Sequence, residues 1–102
     1  MNTVKIYDYT NDFAENKDVA RKLRLEIIQP ELQSDKEIIL DFAKVTSATQ
    51  SFIHALLSQI IRDFGVEVLE KIGFKNCNEN VKTIIEIVIE YVQDGIFTDD
   101  DL

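Results

Sequence analysis

The sequence predicts a single α/β domain: a small mixed or mostly parallel sheet with helices packed against it, in the order β-α-β-α-(turn)-β-α. Three observations predict it. Ile38-Ile39-Leu40-Asp41-Phe42 is a short, nearly continuous apolar run, as in a strand covered on both faces within a largely parallel sheet. Apolar residues at helical spacing stand on either side of it, and strand-like and helix-like segments alternate without internal repeats. At 102 residues, with 45% hydrophobic and 29% charged residues, the chain has the size and composition of one globular domain with a real core.

The first strand is read from Val4-Lys5-Ile6-Tyr7, which alternates apolar and polar residues. Thr10, Asn11 and Asp12 then favour turns and caps. Asn16 or Asp18 caps a helix reaching about Gln29, with Val19, Leu23 and Ile27 on one face, and Pro30 is expected to end it. The segment 31–35 reads as a polar connection to the strand 38–42.

The turn after that strand carries Thr46, Ser47, Thr49, Gln50 and Ser51. A helix begins at Phe52 with Ser51 as its N-cap, and Gly65 is its expected stop. Its apolar residues, among them Phe52, Ile53, Leu56, Leu57, Ile60 and Ile61, spread too widely for a helix packed on one side only. The segment 66–71 fits strand and helical turn equally, and Ile72-Gly73-Phe74-Lys75 reads as the last strand. Val81, Ile84, Ile85, Val88 and Val92 form the stripe of a final helix, capped by Asn78 or Asn80 and closed by Gly95. The domain is therefore assigned to residues 1–95, with 96–102 as an acidic tail.

A net charge of −8 opposes binding to nucleic acid or anionic membrane. No run approaches the length of a membrane span, the opening residues read as no secretory leader, and a lone cysteine suits a reducing compartment. A cytoplasmic protein is expected. No phosphate-binding glycine loop, metal-ligand spacing or cofactor motif stands out, so no cofactor is expected. A Cys77–His54 nucleophilic pair is the only catalytic arrangement the residue types suggest, with Asp41 as a third member. The ordinary readings are a structural cysteine, a half-exposed polar histidine, and a carboxylate that accepts hydrogen bonds from the turn after its strand. The chain is read as no enzyme.

Two features invite a binding role. Ser51 at a helix start occupies a place that tolerates a phosphate as well as a cap, which makes it the candidate modification or switch position. Lys17, Arg21, Lys22 and Arg24 fall within eight positions; they read either as the solvated face of a helix or as a docking stripe for an acidic partner.

Leu40-Asp41-Phe42-Ala43-Lys44-Val45, followed by Gln50-Ser51-Phe52 and an apolar helix, resembles the LDFxxV…(Q)SFxxxL pattern of bacterial STAS-like domains of unknown function. The stretch Phe74-Lys75-Asn76-Cys77-Asn78-Glu79-Asn80-Val81 is similar to that family's closing strand, asparagine-rich turn and last helix. Asp18-Val19-Ala20-Arg21-Lys22-Leu23-Arg24 resembles its first helix, and the likeness runs from about Val4 to Asp94. The family is related in fold to anti-sigma-factor antagonists, whose equivalent turn carries D-S-S-G or D-[ST]-x-G with a phosphorylatable serine. The resemblance implies that Ser51 takes that serine's place, with Thr49 for the aspartate and Phe52 for the glycine. Where relatives read FADE, this chain has Phe52-Ile53-His54-Ala55.

What the resemblance implies is a non-catalytic interaction module with a protein partner, a histidine-kinase-like ATPase or an anti-sigma-type regulator. The docking residues expected are Thr46, Ser47, Thr49, Gln50, Phe52 and His54, with Arg21 and Arg24. The alternative is a self-associating domain, a homodimer through the broad apolar faces of the last two helices, where Ile87, Ile89 and Tyr91 exceed a single stripe. A small-molecule or nucleotide-binding domain ranks below both.

Overall fold

The computed structural model describes residues 2–94; Gly95 and the acidic segment 96–102 lie outside the described residues. Three parallel strands form the main sheet in the order β1 (Asn2–Lys5), β3 (Ile38–Asp41), β5 (Ile72–Lys75). The central strand sets the register, with Val4 opposite Leu40 and Leu40 opposite Phe74. Ile38 and Leu40 are fully buried on one face. The row Thr3–Ile39–Gly73 on the other face is exposed or half-buried, so the expected cover on both faces is only partial. Ile39 packs closely over Gly73, where an added Cβ would meet Ile39 Cγ1 at 3.3 Å.

The first strand begins and ends earlier than the alternation predicts. Ile6 still donates its N–H to the Asp41 carbonyl at 2.9 Å, but its own carbonyl accepts from the Tyr9 and Thr10 N–H groups and the Thr10 hydroxyl. That closes a single helical turn, α1 (Tyr7–Thr10), in place of a fifth pair of strand residues. A two-residue strand, β2 (Phe13–Ala14), follows and pairs in parallel with β4 (Ser47–Ala48). Both are too short to leave a periodic signal.

Asn16 caps the next helix, its side-chain oxygen accepting from the N–H groups of Asp18 and Val19. The helix does not stop at Pro30. It runs from α2 (Lys17–Leu23) through a π-helical segment (Arg24–Ile28) into α3 (Gln29–Gln33), so most of the expected connection 31–35 is helical. The wide turn explains the continuity. Gln29 donates to the Arg24 carbonyl five residues back and keeps helical angles (φ −60°, ψ −45°), which places Pro30 at the start of a new α-helical register. There its missing N–H costs little, and buried Ile28 and Leu32 stabilise the continuation.

Helix α4 (Gln50–Phe64) packs against both α2 and α5 (Glu79–Asp94), as its broad apolar surface requires. Phe52, Ile53, Leu56, Leu57 and Ile60 are fully buried along it. Gly65 ends it at φ +86°, a conformation that favours glycine, and a 3-10 helix (Val66–Lys71) leads into β5. Asn78 caps α5, its side chain accepting from the Val81 N–H at 2.9 Å. On α5, Val81, Ile85 and Val88 are buried while Ile84 and Val92 pack partly against the core. Among the described residues no helix is long and apolar enough to cross a membrane.

Candidate functional site

The start of α4 is held from three sides. The Thr49 N–H donates to the Ala14 carbonyl at 3.0 Å, which continues the β2–β4 pairing and leaves Thr49 extended (φ −90°, ψ 158°). An N-cap has that conformation, and the Thr49 hydroxyl oxygen accepts from the Phe52 N–H at 3.1 Å. Thr49 is therefore the cap and Ser51 is not; the helix starts at Gln50, and Ser51 stands exposed within its first turn.

Thr46 donates its hydroxyl and its N–H to the Asp12 carbonyl, at 3.0 and 2.8 Å. From the far side, Asn78 donates its side-chain amide to the Thr46 carbonyl at 2.8 Å, and Asn80 accepts from the Ala48 N–H at 3.2 Å. The turn 46–51 is thus tied to the β2 segment and to the first turn of α5. Ser47 and Thr49 are half-buried, and Phe52 lies in the core, where its side chain presents nothing to a partner. Thr46, Gln50 and Ser51 are the exposed members.

Ser51 opens onto a cleft of about 320 Å³ between α2 and α4. One wall carries Ser51, His54, Ala55, Ser58 and Gln59, which recur at i, i+3, i+4, i+7 and i+8 and so form one stripe of the helix. Lys17, Arg21 and Arg24 form the other wall, at i, i+4 and i+7. The structure thereby brings two independently read features, the Ser51 corner and the basic run, into one site. Lys22, the fourth residue of that run, does not line it.

His54 is buried at 4% exposure, against the half-exposed position expected of it, and shares a hydrogen bond with the equally buried Ser58 through Nδ1 at 3.3 Å. Arg24 spans the cleft floor: Nη1 donates to the Ala55 carbonyl at 3.0 Å, while its Nε is buried without a hydrogen-bond partner. Burial first, and then the charge of Arg21, lowers the Arg24 pKa from its ordinary value; Asp63 acts in the opposite direction. Arg21 lies 3.8 Å from Asp18 and remains largely exposed.

The three residues of the conceivable nucleophilic arrangement line three different depressions. His54 lies in the α2–α4 cleft, Cys77 beside Phe74 and Ile89, and Asp41 beside Lys5 and Tyr7. Burial, with the charge of Asp41, raises the pKa of the Cys77 thiol. Asp41 accepts from the Asn76 side chain at 3.0 Å and from the Ala43 N–H at 2.9 Å, and these bonds, in that order, hold its carboxyl below the ordinary range. Among the described residues, no three His, Cys, Asp or Glu side chains are grouped to hold a metal ion.

Sequence reasoning names Ser51 and His54 of the α4 wall but misses Ala55, Ser58 and Gln59, and it misses the asparagine clamp. The wall has a legible signal, since Ser51, His54, Ser58 and Gln59 are the polar interruptions at helical spacing in an otherwise apolar helix. The clamp has none, because its partners are about 32 residues apart in sequence.

A family model described as a STAS-like domain of unknown function (DUF4325) matches residues 19–82. That span is narrower than the likeness read from the motifs. It contains the turn 46–51, both arginines of the cleft and the asparagine clamp, and leaves out β1, Lys17 and most of α5. No curated protein and no solved structure matches the chain significantly.

Proposed function

The chain belongs to the family of STAS-like domains of unknown function, and on that premise we propose that it is a non-catalytic regulatory module. It docks a protein partner through the exposed corner at Gln50 and Ser51 and the cleft-facing stripe of α4. The observation that carries this reading is the convergence of Ser51, at that corner, with Lys17, Arg21 and Arg24 in one cleft. A rigid turn supports it, since hydrogen bonds to the Asp12 and Ala14 carbonyls and the Asn80 side chain, and from the Asn78 amide, pre-organise the corner and reduce the ordering cost of binding. The partner expected is a histidine-kinase-like ATPase or an anti-sigma-type regulator, and the protein acts inside the cell.

A photo-crosslinking residue placed at Gln50, and in a separate variant at Glu86 outside the cleft, tests the reading in living cells. Discrete crosslinked species are expected from position 50 and not from position 86. Crosslinks confined to position 86 would put the docking surface elsewhere.

A further inference from the structure

The basic wall is unusual for this chain. Three of its eleven Lys and Arg residues, in a molecule of net charge −8, line one cleft at i, i+4 and i+7. Among the described residues their counter-charges are sparse. Asp18 lies 3.8 Å from Arg21 with an exposed side chain, and Asp63, which does not line the cleft, accepts a hydrogen bond from Gln59 at 2.9 Å. Arg24 is held in place by the Ala55 carbonyl, with its Nε buried and unmatched. Such an arrangement spends folding energy on keeping like charges together, and an anion in the cleft recovers it.

We infer that the α2–α4 cleft takes a phosphorylated side chain of the partner protein, its phosphate set among Lys17, Arg21 and Arg24. This rests on the docking reading above and names the chemistry that the cleft accepts. The cleft lining carries three cations and no carboxylate; Asp18 beside Arg21 and Asp63 acting on Arg24 offset part of that charge from outside, and a phosphate of about −1.5 to −2 neutralises the remainder. The opposite wall adds the Ser51 hydroxyl as a neutral donor, and about 320 Å³ admits a phosphate together with the side chain that bears it. Long polyanions such as nucleic acid meet more of the repulsion of the whole molecule than a short phosphorylated segment does.

Titration of the ¹⁵N-labelled protein at fixed ionic strength tests the inference. The probes are a phosphoserine peptide with neutral flanks, the same peptide unphosphorylated, and inorganic phosphate. The phosphopeptide is expected to saturate at least about tenfold more tightly than its unphosphorylated twin, with amide shifts centred on residues 17–24 and 51–59. Arg21→Glu and Lys17→Glu, whose side chains are exposed, are each expected to weaken it about tenfold or more, while Lys75→Glu outside the cleft leaves it unchanged. Equal binding of the two peptides, indifference to Arg21→Glu in a variant with a folded amide spectrum, or binding of inorganic phosphate alone would each overturn it. The two readings fail separately. Crosslinking at Gln50 without phosphopeptide binding removes only the phosphate; phosphopeptide binding without crosslinking at Gln50 removes the docking corner.

Discussion

Arg24 donates from Nη1 to the main-chain oxygen of Ala55 at 3.0 Å, and so joins the first residue of the π-helical segment to the middle of α4. The bond fixes the floor of the cleft and the separation of its two walls. Replacing Arg24 by alanine removes a charge-assisted bond and the packing of the side-chain stem. A loss of about 1–3 kcal/mol is expected in urea unfolding, with Arg24→Lys losing less.

Thr49 holds the cap that the sequence assigns to Ser51, and stability measurements separate the two. Thr49→Ala removes the cap of α4 and is expected to cost about 1 kcal/mol. Ser51→Ala, at an exposed position of the first turn, is expected to change stability by less than about 0.5 kcal/mol. Equal losses in thermal unfolding would restore Ser51 as the cap.

Asn78 serves two elements, capping α5 through its oxygen and holding the Thr46 carbonyl through its amide. Asn78→Ala is expected to cost about 1–2 kcal/mol, and hydrogen exchange at Ala48 is expected to quicken as the turn loosens. Asn78→Asp keeps the cap and loses the donor, so it should loosen the turn while preserving the start of α5.

Asp41 makes stability fall in acid. Hydrogen bonds from Asn76 and Ala43 place its folded pKa below the unfolded value of about 3.9. The stabilisation is therefore fully present above about pH 4 and is lost as pH falls through the lowered folded value. Unfolding followed between neutral and acid pH is expected to show this loss, and Asp41→Asn is expected to flatten it.

The elements legible in the sequence are those whose own residues carry the pattern. The central strand at Ile38 and Leu40, the apolar stripes of α4 and α5, the cap at Asn16 and the stop at Gly65 all appear where the residues place them. The rest depends on partners distant in the chain. Pro30 reads locally as a break, and only the π turn with buried Ile28 and Leu32 makes it an interior position. The Phe13–Ala14 and Ser47–Ala48 strands exist through their pairing with each other. The basic run and the Ser51 corner were both visible, but their facing across one cleft is a product of how α4 packs on α2. The sequence places Phe52 on the apolar face and among the docking residues, and His54 half-exposed; both are buried, because a broad apolar helix does not show which of its sides meets a neighbour.

Ser51→Asp tests the central claim most directly, because it places a negative charge at the exposed corner without touching the cap or the core. With the crosslinker at Gln50 in both proteins, the account expects the variant to fold as the wild type does and to lose most of its crosslinked species. Undiminished crosslinking in the folded variant would contradict docking at this corner.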